Sequence, residues 1–382
     1  MKIHDNITEP DNAVLVGASL GKTIGLDSLD ELSSLCRTTN IVEVGRVVQN
    51  LHDICVTYYI GKGKVEEVRQ LVEETRANVV VFDVELGGSK VRNLEKALNV
   101  PVLDRSKVIL DIFASRAKSK EGQLQVELAQ LKYNLPRLVG AGGLMSKMRN
   151  SVGMRGPGEK KLEMDKRKIK EQISALEKDL EKLKENRMLN KSKAIKSGKS
   201  RVCLVGYTNS GKTTLLNTMA KSGEVGEDKL FATLDPKTAN IYINPDAPGE
   251  GADYTQYMGK QILLTDTVGF IDKLPHEFIS AFESTLDETR GADLLLHIVD
   301  VASPNVVAQV EVVTEVLQKI GAGDVPVLCV LNKVDKLSDV GLNIAVKELQ
   351  EKCDLKHFVP VSAKENKGIE ILKQEIIRRL DR

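Results

Sequence analysis

Short apolar runs alternate with amphipathic stretches in the first part of the chain. Runs rich in β-branched side chains predict strands, and apolar positions repeated every three or four residues predict helices. On these grounds we predict strands at residues 13–16, 41–48 and 79–82 and helices at residues 65–76 and 90–98. Because strands that alternate with helices favour a largely parallel sheet, residues 1–115 are predicted to form a small α/β domain.

The hydrophobic period changes near residue 108, beyond which apolar positions keep a helical spacing as far as Leu131. A glycine-rich break follows at residues 140–158. Five later apolar residues are spaced alternately by four and three positions, which is the spacing of a heptad seam: Ile169, Ile173, Leu176, Leu180 and Leu183. Residues 116–190 are therefore predicted to form an antiparallel helical hairpin, although a simple spacer between domains is an alternative interpretation.

The last part of the chain repeats the alternation of strands and helices. Residues 191–200 are small and basic, which indicates a linker, and residues 201–382 are predicted to form another α/β domain. In this part the apolar runs end at polar motifs, and the nature of those motifs indicates a nucleotide site.

The first motif, Gly-x-x-x-x-Gly-Lys-Thr, follows an apolar strand at residues 202–205 and precedes a helical pattern. In that setting the glycine-rich backbone and the helix N-terminus bind phosphate. We predict that Lys212 reaches the β- and γ-phosphates and that Thr213 binds Mg²⁺. The predicted nucleotide-binding residues of this loop are Gly206, Asn209, Ser210, Gly211, Lys212, Thr213 and Thr214.

A similar string, Gly17-Ala-Ser-Leu-Gly21-Lys22-Thr23, follows the first predicted strand. Only three residues separate its glycines, whereas a phosphate loop has four. A loop this short does not wrap a phosphate in the usual way. We therefore interpret the string as a structural turn that gives little support to ATP binding at the N-terminal domain.

Asp266 and Gly269 mark the next motif, Asp-Thr-Val-Gly, at the end of another predicted strand. An aspartate there holds Mg²⁺ through water, and a glycine lets its N–H approach the γ-phosphate. Between the two motifs, Thr233 is the predicted second Mg²⁺ ligand and sensor of the γ-phosphate, with Thr238 as its rival. The candidate catalytic residues are Lys212, Thr233 and Gly269, and the candidate metal ligands are Thr213, Thr233 and Asp266.

Asn332, Lys333 and Asp335 follow an apolar run at residues 325–331 and specify the base. The Asp335 carboxylate can accept hydrogen bonds from guanine N1–H and the N2 amino group. Adenine offers neither pattern and would leave a carboxylate unpaired, which costs about 1–3 kcal/mol. Asn332 is expected to tie this loop to the phosphate loop, and the Lys333 stem is expected to lie over the base.

A last turn, Ser362-Ala363-Lys364, is expected to meet guanine O6 through its backbone. The motifs occur in order, each at a strand end, and together they predict a P-loop GTPase domain with a mainly parallel sheet. The implied ligands are GTP, GDP and Mg²⁺, and the implied reaction is GTP hydrolysis.

Phe270 and Asn209 depart from the commonest GTPase pattern. Many GTPases carry a glutamine, which orients the attacking water, at the position of Phe270. One interpretation is slow intrinsic hydrolysis that a partner, a backbone group or a cation completes, and another is simple packing of Phe270; the two are compatible. Asn209 either helps to bind a potassium ion, as in related GTPases with a similar loop, or only stabilises the loop.

The composition of the chain restricts the partners, the cysteine chemistry and the cellular location that we expect. The net charge of +1 makes the whole chain no obvious nucleic-acid binder, so any RNA contact must come from local clusters, and no DNA partner is expected. Five scattered cysteines without a C-x-x-C pair argue against disulfides and a cysteine zinc site. The N-terminus lacks a signal-peptide core and the apolar runs are strand-sized, which predicts a cytoplasmic protein without a transmembrane segment; peripheral membrane contact is left open. A monomer is expected, although no sequence feature specifies the oligomeric state.

Long strings outside the nucleotide motifs resemble the HflX family of translational GTPases. They lie at residues 59–64, 82–83, 104–105, 110–117, 121–138, 155–159 and 162–167, and the resemblance extends from about residue 13 to the end. It implies association with the large ribosomal subunit and its RNA, and splitting or rescue of stalled ribosomes under stress. Several relatives carry a further C-terminal domain that is not apparent here, which puts any contact made by that domain in doubt.

A cluster of basic residues agrees with an RNA partner. Arg137, Lys147, Arg149 and Arg155 have no acidic residue between them, and Lys and Arg outnumber Asp and Glu at residues 159–200. Because few aromatic residues lie nearby, contact with the backbone of structured RNA is expected rather than base stacking. A solvated loop is the alternative for this cluster, and a GTP sensor with incidental hydrolysis or an assembly scaffold are the alternatives for the protein.

Overall fold

The computed structural model describes residues 10–21, 26–139, 157–195, 199–220, 231, 236–243, 259–273, 283–353 and 357–381. By its internal contacts the chain divides into two compact units. The first comprises residues 1–115 and 126–179, and the second comprises residues 116–125 and 180–382. The helices of the predicted hairpin therefore contribute residues to both units.

The first unit contains a four-stranded sheet in the order β2-β1-β3-β4, in which every neighbouring pair is parallel. Its strands are β1 (Asp11–Leu20), β2 (Ile41–Leu51), β3 (Val79–Phe82) and β4 (Val102–Asp104). The helices between and after them are α1 (Leu26–Thr38), α2 (Lys62–Thr75), α3 (Gly88–Leu98) and α4 (Arg105–Arg116). The α/β class predicted for this part of the chain is confirmed.

Helix α2 shows how local sequence shapes these elements. Val65, Val68 and Val72 recur at helical spacing and are buried on the face that packs against the sheet core. The helix stops at Arg76, whose φ of 54° is left-handed and whose amide donates to the Val72 carbonyl. Apolar spacing therefore places the helix, and a left-handed residue ends it.

Two long helices follow, α5 (Lys120–Val139) and α6 (Pro157–Ile195). In α6 the five heptad positions are half-buried, whereas most of their neighbours are exposed. Within the first unit, an ion pair of 2.8 Å joins Lys132 Nζ of α5 to Glu177 Oε1 of α6. Of the predicted basic cluster, Lys147, Arg149 and Arg155 lie outside the described residues.

The second unit contains a six-stranded sheet in the order β10-β9-β8-β5-β7-β6, parallel except for the β6–β7 pair. Its strands are β5 (Ser200–Gly206), β6 (Lys237–Ile243), β7 (Lys260–Asp266), β8 (Leu294–Asp300), β9 (Val327–Asn332) and β10 (Phe358–Pro360). Its helices are α7 (Lys212–Ala220), α8 (Glu283–Arg290), α9 (Val306–Lys319), α10 (Asp339–Cys353) and α11 (Ile369–Leu380). This mainly parallel arrangement confirms the fold predicted for the region.

The central strands of this sheet are apolar on both faces because helices cover both sides. Polar residues stand at the carboxyl ends of β7, β8 and β9, and the glycine-rich loop follows β5 at the same edge, where the candidate site lies. Within the described part of the chain, no helix combines the length and the apolar character that crossing a bilayer requires.

Candidate functional site

The loop between β5 and α7 depends on two glycines. Gly206 has a φ of 154°, and a Cβ there would lie 2.3 Å from the Ile298 carbonyl oxygen. Gly211 has a φ of 96°, and a Cβ there would lie 2.2 Å from Asn332 Nδ2. Both positions therefore exclude any side chain, and the backbone packs closely against the neighbouring strands.

Lys212, the first residue of α7, points its ammonium group into this loop. Its Nζ donates to the carbonyl oxygens of Gly206 at 3.1 Å and Tyr207 at 2.8 Å. Burial lowers the pKa of Lys212 to about 8, while the nearby Asp266 carboxylate acts in the opposite direction. The group is thus a cation at neutral pH that is solvated by backbone carbonyls and not neutralised by a direct carboxylate bond.

Two hydroxyl groups in the same loop are buried without a hydrogen-bond partner among the described residues. They are Thr208 Oγ1 and Ser210 Oγ, in residues that are 6% and 1% exposed. Buried polar atoms in native proteins are usually bonded. An unsatisfied pair inside a glycine-rich cradle fits a site that accepts a polar ligand.

Thr213 and Asp266 are brought together from α7 and the end of β7. The Thr213 hydroxyl donates to Asp266 Oδ2 at 2.6 Å, and Asp266 is fully buried. A hydroxyl and a carboxylate are the hard oxygen donors that Mg²⁺ prefers, and this ion usually takes its other ligands from water and phosphate. The described residues contain no cluster of three or more acidic, histidine or cysteine ligands.

The two threonines proposed as the second metal ligand have different outcomes. Thr233 lies outside the described residues. Thr238 lies in β6, where its hydroxyl is 3.0 Å from the hydroxyl of Thr265 on β7. The Thr238 side chain therefore takes part in a cross-strand pair.

Gly269 and Phe270 lie directly against the phosphate loop. A Cβ on Gly269 would be 2.9 Å from both Lys212 Nζ and Thr208 Cα. The Phe270 amide donates to the Gly206 carbonyl at 3.1 Å, and its own carbonyl accepts from Thr208 at 2.7 Å. Phe270 is only 3% exposed, so it packs inside the unit as one interpretation of the sequence expected.

Asn332 connects the base-recognition loop to two other loops. Its Nδ2 donates to the Ser210 carbonyl at 2.8 Å, and its Oδ1 accepts from the Ala363 amide at 3.1 Å. One buried side chain thereby holds the phosphate loop and the turn after β10 in a common register. The Ala363 amide, which the sequence assigned to guanine O6, is bonded to Asn332 in this structure.

Asp335 presents an exposed carboxylate beside that turn. The Ser362 hydroxyl donates to Asp335 Oδ1 at 2.6 Å, and this bond lowers the pKa of the carboxyl group. Lys364 lies in the same turn, which the Ser362 and Lys367 backbones close by exchanging two hydrogen bonds of 3.0 Å. The arrangement keeps Asp335 ionised and oriented, as an acceptor for two guanine N–H groups requires.

Tyr207 and Asp300 also belong to this edge, although the sequence motifs did not single them out. The Tyr207 hydroxyl accepts a hydrogen bond of 2.8 Å from the Asp272 amide, just beyond Phe270. Asp300, the last residue of β8, lies 2.8 Å from Lys333 Nζ. Asp300 could have been found from the sequence because it ends an apolar strand that lies between two strands with nucleotide motifs. A position at a strand end also identified Asp266.

Asn209 has a left-handed φ of 61°. Asparagine tolerates this conformation better than most residues, which favours the loop-stabilising interpretation of the position. Its carbonyl oxygen accepts a hydrogen bond of 2.7 Å from Lys333 Nζ.

Arg137 is held by groups of the first unit. Its Nη2 lies 2.6 Å from Asp104 Oδ2 and also donates to the Leu86 carbonyl at 2.8 Å. Its guanidinium stacks 3.3 Å from the centre of the Tyr133 ring. An internal carboxylate therefore holds the Arg137 side chain, and its contribution to RNA binding stays a prediction.

Three stretches of the chain match described protein families. Residues 26–114 match the GTP-binding GTPase N-terminal family, and residues 116–193 match the GTP-binding GTPase middle region. Residues 201–333 match the 50S ribosome-binding GTPase family.

Similar proteins carry the name GTPase HflX. The one from Caldanaerobacter subterraneus subsp. tengcongensis is 46% identical over 332 residues, which are 87% of this chain and 74% of that protein. The one from Escherichia coli is 37% identical over 376 residues, 98% of this chain and 84% of that protein. A crystal structure described as SsGBP in complex with GDP is 27% identical, covers 97% of this chain and 98% of its own, and has a TM-score of 0.50.

Proposed function

The chain belongs to the HflX family of GTPases, and we propose that it hydrolyses GTP to GDP and phosphate and associates with the large ribosomal subunit through ribosomal RNA. We further propose that it splits or rescues stalled ribosomes in the cytoplasm under stress. The observation that carries the nucleotide assignment is the meeting of the phosphate loop, Asp266 and Asn332 at one sheet edge. The ribosomal assignment is supported by the match of residues 201–333 to 50S ribosome-binding GTPases.

Lys212 is the proposed electrostatic centre of the reaction. A cation bonded to the neutral carbonyls of Gly206 and Tyr207 can exchange these for phosphate oxygens at little cost. Negative charge on the transferring phosphoryl group then lies beside an ammonium in a water-poor loop, where electrostatic interactions are strong. Gly269 is proposed to add a backbone N–H at the γ-phosphate, because only glycine fits between Lys212 and Thr208.

Thr213 and Asp266 are the residues that would hold Mg²⁺, with Thr233 as a further proposed ligand. Mg²⁺, when bound, supplies positive charge that offsets the charge on the β- and γ-phosphates. The protein's own contribution is to orient the two oxygens, since Asp266 is buried at a strand end and Thr213 is fixed at the start of α7.

Asn332, Lys333 and Asp335 are proposed to bind the guanine base, together with the turn at Ser362, Ala363 and Lys364. Ser362 orients one oxygen of the Asp335 carboxylate, so the group is prepared for a donor pair before any base arrives. Such preorganisation favours guanine over adenine, which would leave the carboxylate unpaired.

Phe270 supports a slow intrinsic reaction. Its side chain is buried, and it carries no group that could orient water. We propose that the ribosomal subunit completes the site, with a potassium ion beside Asn209 as an additional source of positive charge. A GTP sensor with incidental hydrolysis is the second candidate, because the same residue would give it a low turnover.

GTP hydrolysis measured with and without purified large ribosomal subunits tests the proposal. In potassium chloride, we expect strong stimulation by the subunits and none in a Lys212→Ala variant. A slow rate that subunits leave unchanged, despite tight GTP binding, would contradict ribosome activation and favour the sensor. Equal rates in potassium and sodium chloride would remove the potassium ion from the mechanism.

A further inference from the structure

Asp300 stands at the carboxyl end of β8, between the strand that leads into the phosphate loop and the strand that leads into the base-recognition loop. β8 pairs with β5 on one side and with β9 on the other, and Asp300 is in register with Asn332. Because parallel strands end at the same edge, its carboxylate lies where the two loops meet.

Both oxygens of Asp300 are engaged. Oδ2 lies 2.8 Å from Lys333 Nζ, and Oδ1 accepts a hydrogen bond of 3.2 Å from the Ala302 amide. The Asp300 and Lys333 side chains are 19% and 17% exposed, so the pair is shielded from most of the solvent. Removing one partner of a shielded ion pair leaves an uncompensated charge, so the loss is larger than for an exposed pair.

The backbone of Lys333 is also strained. Its φ of 65° lies in the left-handed region, which a lysine rarely adopts. Its ammonium group bonds Asp300 and the Asn209 carbonyl, 2.7 Å away. These two bonds fix the ammonium end of the side chain against the phosphate loop, while its backbone lies in the base-recognition loop.

We propose that Asp300 is a positioning residue for nucleotide binding. It holds the Lys333 ammonium so that the aliphatic stem lies flat against the guanine base, and it keeps the base-recognition loop in register with the phosphate loop. The inference rests on GTP binding by this site and is independent of any ribosomal partner. Asp300 contacts neither phosphate nor metal in this role, so its effect reaches the nucleotide only through Lys333.

An Asp300→Asn variant tests the proposal in a double-mutant cycle with Lys333→Ala, with GDP and GTP affinities as the readout. The single Asp300→Asn change should weaken both nucleotides about tenfold, since a hydrogen bond between charged groups is lost. The loss should be equal for GDP and GTP because they share the base. In the Lys333→Ala background, the same change should have no further effect.

Three further measurements separate positioning from a general structural role. Asp300→Glu keeps the charge and should recover part of the affinity. In steady-state assays, Asp300→Asn should raise KM more than it lowers kcat, because binding to substrate and transition state is weakened alike. Asp324→Asn removes an exposed aspartate of the same unit and should change neither nucleotide affinity nor KM.

Two results would overturn the assignment. One is an affinity loss from Asp300→Asn that is fully retained in the Lys333→Ala background. The other is a nucleotide affinity that Asp300→Asn leaves within about twofold of the wild-type value in a protein with an unchanged melting temperature. Thermal unfolding without nucleotide shows whether each variant is folded before its affinity is interpreted.

Discussion

The two parallel sheets of this protein use charged residues differently at their carboxyl edges. In the first unit, Arg105 lies 2.8 Å from both Asp83 and Glu31, and Arg137 lies 2.6 Å from Asp104. The buried Arg105 and the half-buried Arg137 are each matched to a carboxylate of the protein itself. In the second unit, the buried cation Lys212 bonds backbone carbonyls and, among the residues that the structure describes, no carboxylate.

This difference distinguishes a sheet edge with a structural role, in the first unit, from a sheet edge that can bind a ligand, in the second. A buried charge is tolerated when an opposite charge or several dipoles solvate it. A cation in a direct ion pair is already neutralised by the protein and does not attract an anionic ligand. A cation bonded to carbonyl dipoles can exchange them for phosphate oxygens, which are stronger acceptors. The same type of sheet thus becomes a structural platform in one unit and a binding site in the other.

Strand length contributes to the same distinction. β1 continues to Leu20, so Gly17, the first glycine of the N-terminal string, is paired within the strand opposite Val48. β5 ends at Gly206, and its loop begins at once. Residues 17–20 of the N-terminal string therefore belong to β1 and are not available for a phosphate-binding turn. This agrees with the interpretation of the string as a structural element.

The largest expected effect distinguishes the two lysines of these strings. Lys212→Ala should lower GTP turnover about 1,000-fold, because it removes a preorganised positive charge from the transferring phosphoryl group. Phosphate release measures this change. Lys22→Ala, the equivalent change in the N-terminal string, should leave turnover at the wild-type value, and a comparable loss there would make the first unit a second nucleotide site.

The next effect concerns stability of the first unit. Arg137→Met should destabilise the protein by about 3 kcal/mol, because the buried Asp104 carboxylate would lose its cation and keep only neutral donors, the Leu86 and Lys107 amides and the Tyr133 hydroxyl. Denaturant unfolding measures the free energy. Arg37→Met removes an exposed arginine of α1 and should cost less than about 0.5 kcal/mol. Equal small effects of both changes would show that Arg137 is not part of a buried structural pair.

A smaller effect is expected at the base. Asp335→Asn should weaken GDP binding about 100-fold, because an amide cannot accept both guanine N–H groups. Xanthosine diphosphate carries a carbonyl oxygen where guanine has its amino group, so the variant should prefer it. Calorimetric titration with both nucleotides tests this, and an unchanged preference for GDP would place base recognition elsewhere.

The smallest expected effect is a pH dependence of nucleotide affinity. The pKa of Lys212 is about 8 in the nucleotide-free protein, because burial disfavours its charged form. Phosphate binding requires the cation, so affinity is full below this pKa and falls as pH rises through it. From about one pH unit below to one unit above, GDP affinity should drop about tenfold.

Titration of the guanine base contributes to the same pH range, so a variant is needed to isolate Lys212. Lys212→Arg keeps its charge at every pH of the experiment, and its residual pH dependence reports the base alone. If the wild-type protein and this variant show the same slope, the pKa of Lys212 does not control affinity.

The nucleotide motifs and the α/β class could both be predicted from the amino-acid sequence alone. Both depend on local patterns: apolar periods define strands and helices, and Gly206, Gly211 and Lys212 occupy fixed positions after a strand. The HflX resemblance also came from linear strings. Such features are encoded by neighbours along the chain, so no knowledge of long-range contacts was needed.

The pairing of charged side chains at the sheet edges could be seen only in the tertiary structure. Asp104 and Arg137 are separated by 33 positions in the sequence. Asp300, at the end of β8, meets Lys333 just beyond the adjacent strand β9. A charge run in the sequence looks the same whether its members face water or a buried carboxylate, which is why Arg137 was assigned to RNA. Pairing follows from strand order and register, and these are set by the packing of the whole unit.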